Sequence, residues 1–221
     1  RDRSPSRGLG DVYKRQKINY QLITDKIIEE CCKTKREKLL LHACCAPCAT
    51  YVLEYLTKYF DITVFFSNSN ITDKSEYEKR LRELYRFCKT ASFCGGVKII
   101  EDEYNTEEYY KFVKGLETEP EGGKRCDLCF KMRISRTAKF AAKNGFPIYA
   151  TTLTVSPHKN AALINKIGES CAEKNGVLYL PSDFKKRGGY QRSIVICREY
   201  DIYRQKYCGC IFSDNSNRAA E

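Results

Sequence analysis

The stretch KLLLHACCAPCATYVLEYLTKYFDITVFF, Lys38–Phe66, decides the fold class. Lys38–Ala43 is an apolar run of strand length, Thr50–Phe60 reads as a helix, and Asp61–Phe66 is a second strand. Strands joined through a helix lie parallel in one sheet, and the alternation continues outward from this unit. Ser75–Cys88 sets Tyr77, Leu81, Leu84, Tyr85 and Cys88 on one helical face, with Thr72, Asp73 and Ser75 available to cap its start. Val97–Glu101 is a third strand, Thr106–Leu116 a helix, Gly122-Gly123 a loop, and Cys129–Asn144 a helix ended by Gly145. Pro147–Leu153 is a fourth strand, and Asn160 caps a helix whose Leu163, Ile164, Ile167 and Cys171 share a face. Val177–Leu180 is a short fifth strand, and Tyr190–Tyr207 closes the series as a long helix that sets Tyr200, Tyr203 and Tyr207 on one face. The expected fold is α/β: a single compact domain with a largely parallel, Rossmann-like sheet flanked by helices.

Five polar loops follow the five strands: Cys44–Cys48, Ser67–Asn70, Asp102, Thr154–Asn160 and Ser182–Lys185. In a parallel sheet the carboxyl ends of the strands face one crevice, where such folds bind ligands. Three tight groups hold seven of the thirteen cysteines: Cys44-Cys45-Ala46-Pro47-Cys48, Cys126-Asp127-Leu128-Cys129 and Cys208-Gly209-Cys210. Thiols so close in sequence converge on an ion or a cluster more readily than they form a disulfide scaffold. Cys126 and Cys129 open a helix, whose N-terminus, with Lys124, Arg125 and Arg133 nearby, favours thiolate charge. Added to Cys44 and Cys45 they complete a set of four thiolates, suited to structural zinc or to an iron–sulfur cluster. Spacing alone leans slightly to zinc; the position at a ligand crevice argues the other way. Cys48 is a further candidate ligand, or a small buried residue in the first turn of its helix.

Cys208-Gly209-Cys210 differs in kind, because a disulfide across one residue closes a strained ring that is easily reduced. Gly209 allows the bend that such a bridge needs. Cys31, Cys32, Cys88, Cys94, Cys171 and Cys197 show no grouping and read as core or surface thiols. His42 and His158 are placed to deliver a proton, against the plainer role of hydrogen-bonded packing residues. Asp183 is a candidate of the same kind. Lys159, Lys185, Lys186, Arg187, Arg192 and Arg204 are candidates for phosphate contacts.

The chain of 221 residues is 42% hydrophobic and carries a net charge of +11, of which residues 1–16 contribute +3 and the remainder +8. That excess suits a polyanionic partner such as tRNA. No apolar run reaches the roughly 20 residues of a membrane span, and thirteen thiols, an odd number, fit a reducing compartment, so the expected location is the cytoplasm with no membrane partner. We expect residues 1–16 to be a non-native or disordered leader, 17–37 an N-terminal helical extension, 38–213 the catalytic domain and 214–221 a disordered tail.

Several of these motifs carry a resemblance. HACCAPC at 42–48, FSNSNI at 66–71, RCDLC at 125–129, TTL at 151–153 with SPHKN at 156–160, DFK at 183–185 and YRQKYCGC at 203–210 together resemble the epoxyqueuosine reductases of the QueH type over about Lys38–Ser213. The resemblance implies a cobalamin-independent oxidoreductase that reduces the epoxide of epoxyqueuosine at the tRNA wobble position to queuosine. It implies Cys44, Cys45, Cys126 and Cys129 as ligands of a [4Fe–4S] cluster, Cys208 and Cys210 as a redox-active pair, and an additional iron or zinc ion with Cys48 as a ligand. The electron donor stays unidentified. A zinc-stabilised tRNA-binding module without catalysis would use the same thiols. An ATP-using sulfur-transfer enzyme would need a glycine-rich cradle where this chain has Cys-Cys-Ala-Pro-Cys.

Overall fold

β1, Lys38–His42, is the centre of a five-stranded sheet. It pairs in parallel with β2, Asp61–Phe66, on one side and with β4, Ile148–Thr151, on the other. β3, Lys98–Glu101, and β5, Leu178–Tyr179, are the edges, giving the order β3-β2-β1-β4-β5 with every neighbour parallel. The computed structural model describes residues 18–213, so the calls on residues 1–16 and 214–221 lie outside the described residues.

Leu39, Leu40 and Leu41 are fully buried because both faces of the sheet are covered. Strand alternation sends Leu39 and Leu41 into one apolar cluster and Leu40 into the other. The first cluster takes in residues of α1 (Tyr20–Cys31), α2 (Ala46–Leu56), α3 (Lys74–Thr90) and α7 (Gly189–Glu199). The second takes in α5 (Lys124–Lys143) and α6 (Ala161–Asn175). α4, Thr106–Val113, covers the start of α5 through Tyr109 and Val113.

Three boundaries differ from the sequence reading, and each moves a functional residue. α2 starts at Ala46 rather than Thr50, because Pro47 fits the first turn, where its missing N–H costs nothing. Cys48 is therefore helical. α5 starts at Lys124, so Cys126 and Cys129 both lie in its first two turns. The last helix ends at Glu199, eight residues early, in a Schellman motif: Ile202 N donates to Cys197 O at 2.8 Å and Asp201 N to Arg198 O at 3.3 Å, with Asp201 at φ 47°. Tyr200, Tyr203 and Tyr207 consequently do not share a helix face. Tyr200 packs edge-on against Phe87, while Tyr203 lies under the Lys79 ammonium.

The strand order reverses between β1 and β4, so the loops leaving these two strands part and open a crevice at their carboxyl ends. Cys44 and Cys45 leave β1 there, opposite the turn Thr152–Val155 that follows β4.

Candidate active site and metal centre

Cys45 is extended at φ −173° and is the N-cap residue of α2, so Cys44, Cys45 and Cys48 turn inward together. Their sulfur atoms all lie within 4.8 Å of one another, and Cys44 Sγ is 3.7 Å from Cys45 Sγ. A tetrahedral ion with a metal–sulfur bond of about 2.3 Å separates its thiolates by roughly this much. The trio shares negative charge unevenly. Hydrogen bonds from Cys45 and Cys48 hold the Cys44 thiol well below its ordinary pKa, with Lys159 and Arg133 adding to the effect. The same bonds push Cys48 well up and Cys45 up to about 12.

Cys126 and Cys129 lie across the crevice, where they line a cavity of about 220 Å³ together with Cys208 and Cys210. Burial raises both thiols, Cys129 to about 12. A larger cavity of about 600 Å³ takes in Cys44 and Cys48, and Cys208 lines both spaces. The expected quartet of Cys44, Cys45, Cys126 and Cys129 is thus distributed around one region rather than drawn to a point. Cys44, Cys45 and Cys126 belong to the same apolar cluster, and Cys48 is the closer companion of the first two.

Polar groups surround these sulfurs as donors. Gln205 Nε2 donates to Cys45 Sγ at 2.9 Å, and Gly122 N to Cys126 Sγ at 3.2 Å. Arg133, 2% exposed on α5, donates Nη2 to Asn68 Oδ1 at 2.5 Å, and its Nε has no hydrogen-bond partner among the described residues. Its charge is held up, against burial, by Cys129, Cys44 and Cys208. Lys159 is likewise held cationic against burial by Cys208 first and then by Cys44. No carboxylate pairs with either cation among the described residues, so sulfur supplies the counter-charge.

The Cys208–Cys210 loop is clamped from α3. Arg80, 2% exposed, ion-pairs with Glu76 at 2.7 Å and donates to Cys208 O at 2.8 Å and Tyr207 O at 3.2 Å. Thr72 N donates to Gly209 O at 3.0 Å, and Ile211 N donates to Thr72 Oγ1 at 3.0 Å. Gly209 sits at φ 119°, and an added Cβ would fall 2.9 Å from Ile71 Cγ1 and 3.1 Å from Arg80 Nη1. Gly209→Ala is therefore expected to cost about 2 kcal/mol in backbone strain and overpacking. Thermal melting checks this: the variant should melt below the parent, and an unchanged melting temperature would show that the loop tolerates the added methyl group.

The remaining candidates divide. His42 is fully buried, with Nδ1 2.8 Å from Thr151 Oγ1 and Nε2 3.2 Å from Ser67 O, and burial with the nearby Arg133 charge lowers its pKa to about 3. Its burial and two hydrogen bonds favour the neutral imidazole and the packing role over proton transfer. Asp183 accepts from Lys185 Nζ at 2.5 Å and lines neither thiol cavity. Arg192 is engaged by Glu54 and Glu199, and Arg187 by Asp25, whereas Lys159 and Arg204 line the larger cavity. Arg125 spends one guanidinium nitrogen on the carbonyls of Leu116, Glu117 and Glu119. Arg80 and Gln205 belong to the site as well; Gln205 lies within the YRQKYCGC motif, whereas nothing in the local sequence pattern marks Arg80.

The family model for epoxyqueuosine reductase QueH matches residues 39–216, a span that contains every thiol of the three groups. The chain belongs to this family. A relative from Streptococcus pyogenes serotype M1 is 46% identical over 212 residues, covering 93% of this chain and 82% of its own. One from Staphylococcus epidermidis is 48% identical over 205 residues, covering 90% and 86%. One from Thermotoga maritima is 40% identical over 181 residues, covering 79% and 89%. All three bear the name epoxyqueuosine reductase QueH. No helix among the described residues is long and apolar enough to cross a membrane.

Proposed function

We propose that this chain is an epoxyqueuosine reductase, converting the epoxide of epoxyqueuosine at the tRNA wobble position to the alkene of queuosine in the cytoplasm. Family membership and the relatives' names support the reaction. The observation that carries the site assignment is the direction of the hydrogen bonds and charges: Gln205, Gly122, Arg133 and Lys159 all present donors or positive charge to sulfur. Such a shell suits thiolates that bind a soft metal group, because hydrogen bonds to coordinated sulfur tune it.

The residues present fit a [4Fe–4S] cluster that Cys44, Cys45, Cys126 and Cys129 would hold, and Arg133 Nε, buried with no hydrogen-bond partner among the described residues, would be a donor available to it. The tight trio also suits an additional iron or zinc ion with Cys48 as a ligand. When bound, the cluster supplies a route for single electrons from an external donor. The chain itself does the rest. Removal of an epoxide oxygen as water takes two electrons and two protons, and oxidation of Cys208 and Cys210 to a disulfide yields both. The exposed Arg204 and Lys206 at the larger cavity offer positive charge to the RNA backbone, and that cavity has room for a modified nucleoside.

Anaerobic purification with iron, sulfide and zinc analysis tests this reading, together with nucleoside mass spectrometry of tRNA carrying epoxyqueuosine. The expected result is visible absorption that bleaches with dithionite, and conversion to queuosine. A colourless protein with stoichiometric zinc that binds tRNA and leaves the epoxide intact would establish the zinc-stabilised binding module instead.

A further inference from the structure

The two thiols of the Cys208–Cys210 pair sit in different surroundings. Cys208 is half-buried and lines both cavities, so it meets the space large enough for a nucleoside. Cys210 is 6% exposed, lines the smaller cavity alone, and packs among Tyr109, Val113 and Met132 with its Sγ 3.4 Å from Ser213 Oγ. The clamp from Arg80 and Thr72 fixes the backbone between them, so the two sulfurs cannot readily exchange places. Lys159 and Arg133 turn positive charge toward Cys208.

From this asymmetry we propose that Cys208 attacks the substrate covalently and Cys210 resolves the adduct. The inference rests on the epoxyqueuosine reductase reading. In the first step the Cys208 thiolate attacks one epoxide carbon: the carbon–sulfur bond forms, the carbon–oxygen bond on that carbon breaks, and the oxygen takes a proton to become a hydroxyl. Backside opening leaves the carbon–sulfur and remaining carbon–oxygen bonds on opposite faces of the ring, the arrangement that elimination needs. In the second step the Cys210 thiolate attacks Cys208 Sγ. The sulfur–sulfur bond forms, the carbon–sulfur pair becomes the double bond, and the hydroxyl leaves with a second proton as water. The balance is one epoxide and two thiols giving one alkene, one water and one disulfide. Cys210 needs no access to the substrate for this, only to Cys208, which agrees with its enclosure.

The test uses the metal-loaded enzyme and tRNA carrying epoxyqueuosine under anaerobic conditions. Cys210→Ser is expected to stall after the first step and give a stoichiometric RNA–protein adduct on denaturing gels, mapped to Cys208 by mass spectrometry. Cys208→Ser gives none, and both variants lose multiple turnover at least a hundredfold. Should Cys210→Ser fold poorly, acid quench of a single turnover by the parent enzyme is expected to trap the same thioether transiently and the 208–210 disulfide at the end. An adduct on Cys210, or no adduct in either experiment while the parent converts the epoxide, overturns the proposal. Failure of the parent itself to convert the epoxide overturns the functional reading on which it stands.

Discussion

Cys129→Ser is expected to strip the protein of its iron and sulfide, at least tenfold below the parent, and to bring epoxide reduction to background. Cys129 lies in the second turn of α5, 6% exposed, among Tyr109, Val113 and Met132, so water has no easy route to replace a missing ligand. A serine oxygen is harder and less easily ionised than the thiolate that iron–sulfur clusters use. The pH dependence has a definite sign. Burial pushes the free Cys129 thiol up to about 12, so metal loading must displace a proton from it at neutral pH. Retention of iron by the parent should therefore weaken as pH falls, and Cys129→Ser should differ most from it at the alkaline end, where the thiol gives up its proton most readily. Cys31→Ser, a half-exposed thiol at the end of α1, is the control expected to keep full iron. Iron and sulfide analysis across pH 6 to 9 decides the matter, and full iron in Cys129→Ser would remove that residue from the ligand set.

How much of this site could be read beforehand depends on the physics behind each part. The β1-α2-β2 unit was legible because Leu39–Leu41 and Ile62–Phe66 are apolar runs of strand length, which only a sheet covered on both faces buries. That placed the Cys44–Cys48 group at a carboxyl end, beside the crevice. The end of α7 was not legible. A Schellman stop usually announces itself with glycine, and here Asp201 takes the left-handed position while Arg86 holds the exposed carbonyls of Tyr200 and Asp201. The apolar residues beyond continue a helical spacing, so the periodicity ran on past the true end. Arg80 was hidden for a different reason. On a helix with many charged residues it looks like one more solvated cation, and only the tertiary approach of Tyr207 and Cys208 makes it a buried clamp. His42 shows the converse: its position beside the thiols suggested chemistry, and its hydrogen bonds from β1 to Thr151 of β4 and to Ser67, just past β2, make it part of the frame.

Arg133→Met is expected to lower turnover at least a hundredfold and to destabilise the metal-loaded protein by about 3–5 kcal/mol, the usual penalty for breaking a buried charge pair. The guanidinium is 2% exposed and has no carboxylate partner among the described residues, so its stability depends on negative sulfur around it. Removing it leaves Cys44, Cys129 and Cys208 without their shared counter-charge. Since Arg133 lowers the free Cys44 and Cys129 thiols, both should rise in the variant, and metal loading should need a higher pH. A purely structural role through the bond to Asn68 would weaken the loaded and metal-free forms equally. An electrostatic role predicts a different pattern. The metal-free Met variant should melt near the parent, because a buried charge replaced by an apolar side chain of similar length costs little once its partners are largely neutral thiols, whereas the loaded form should melt well below it. Arg133→Lys keeps the charge without the planar fork and should recover part of the turnover. Melting curves with and without metal, together with the pH dependence of metal loading in both variants, separate these cases; equal losses in both forms with unmoved loading would reduce Arg133 to packing.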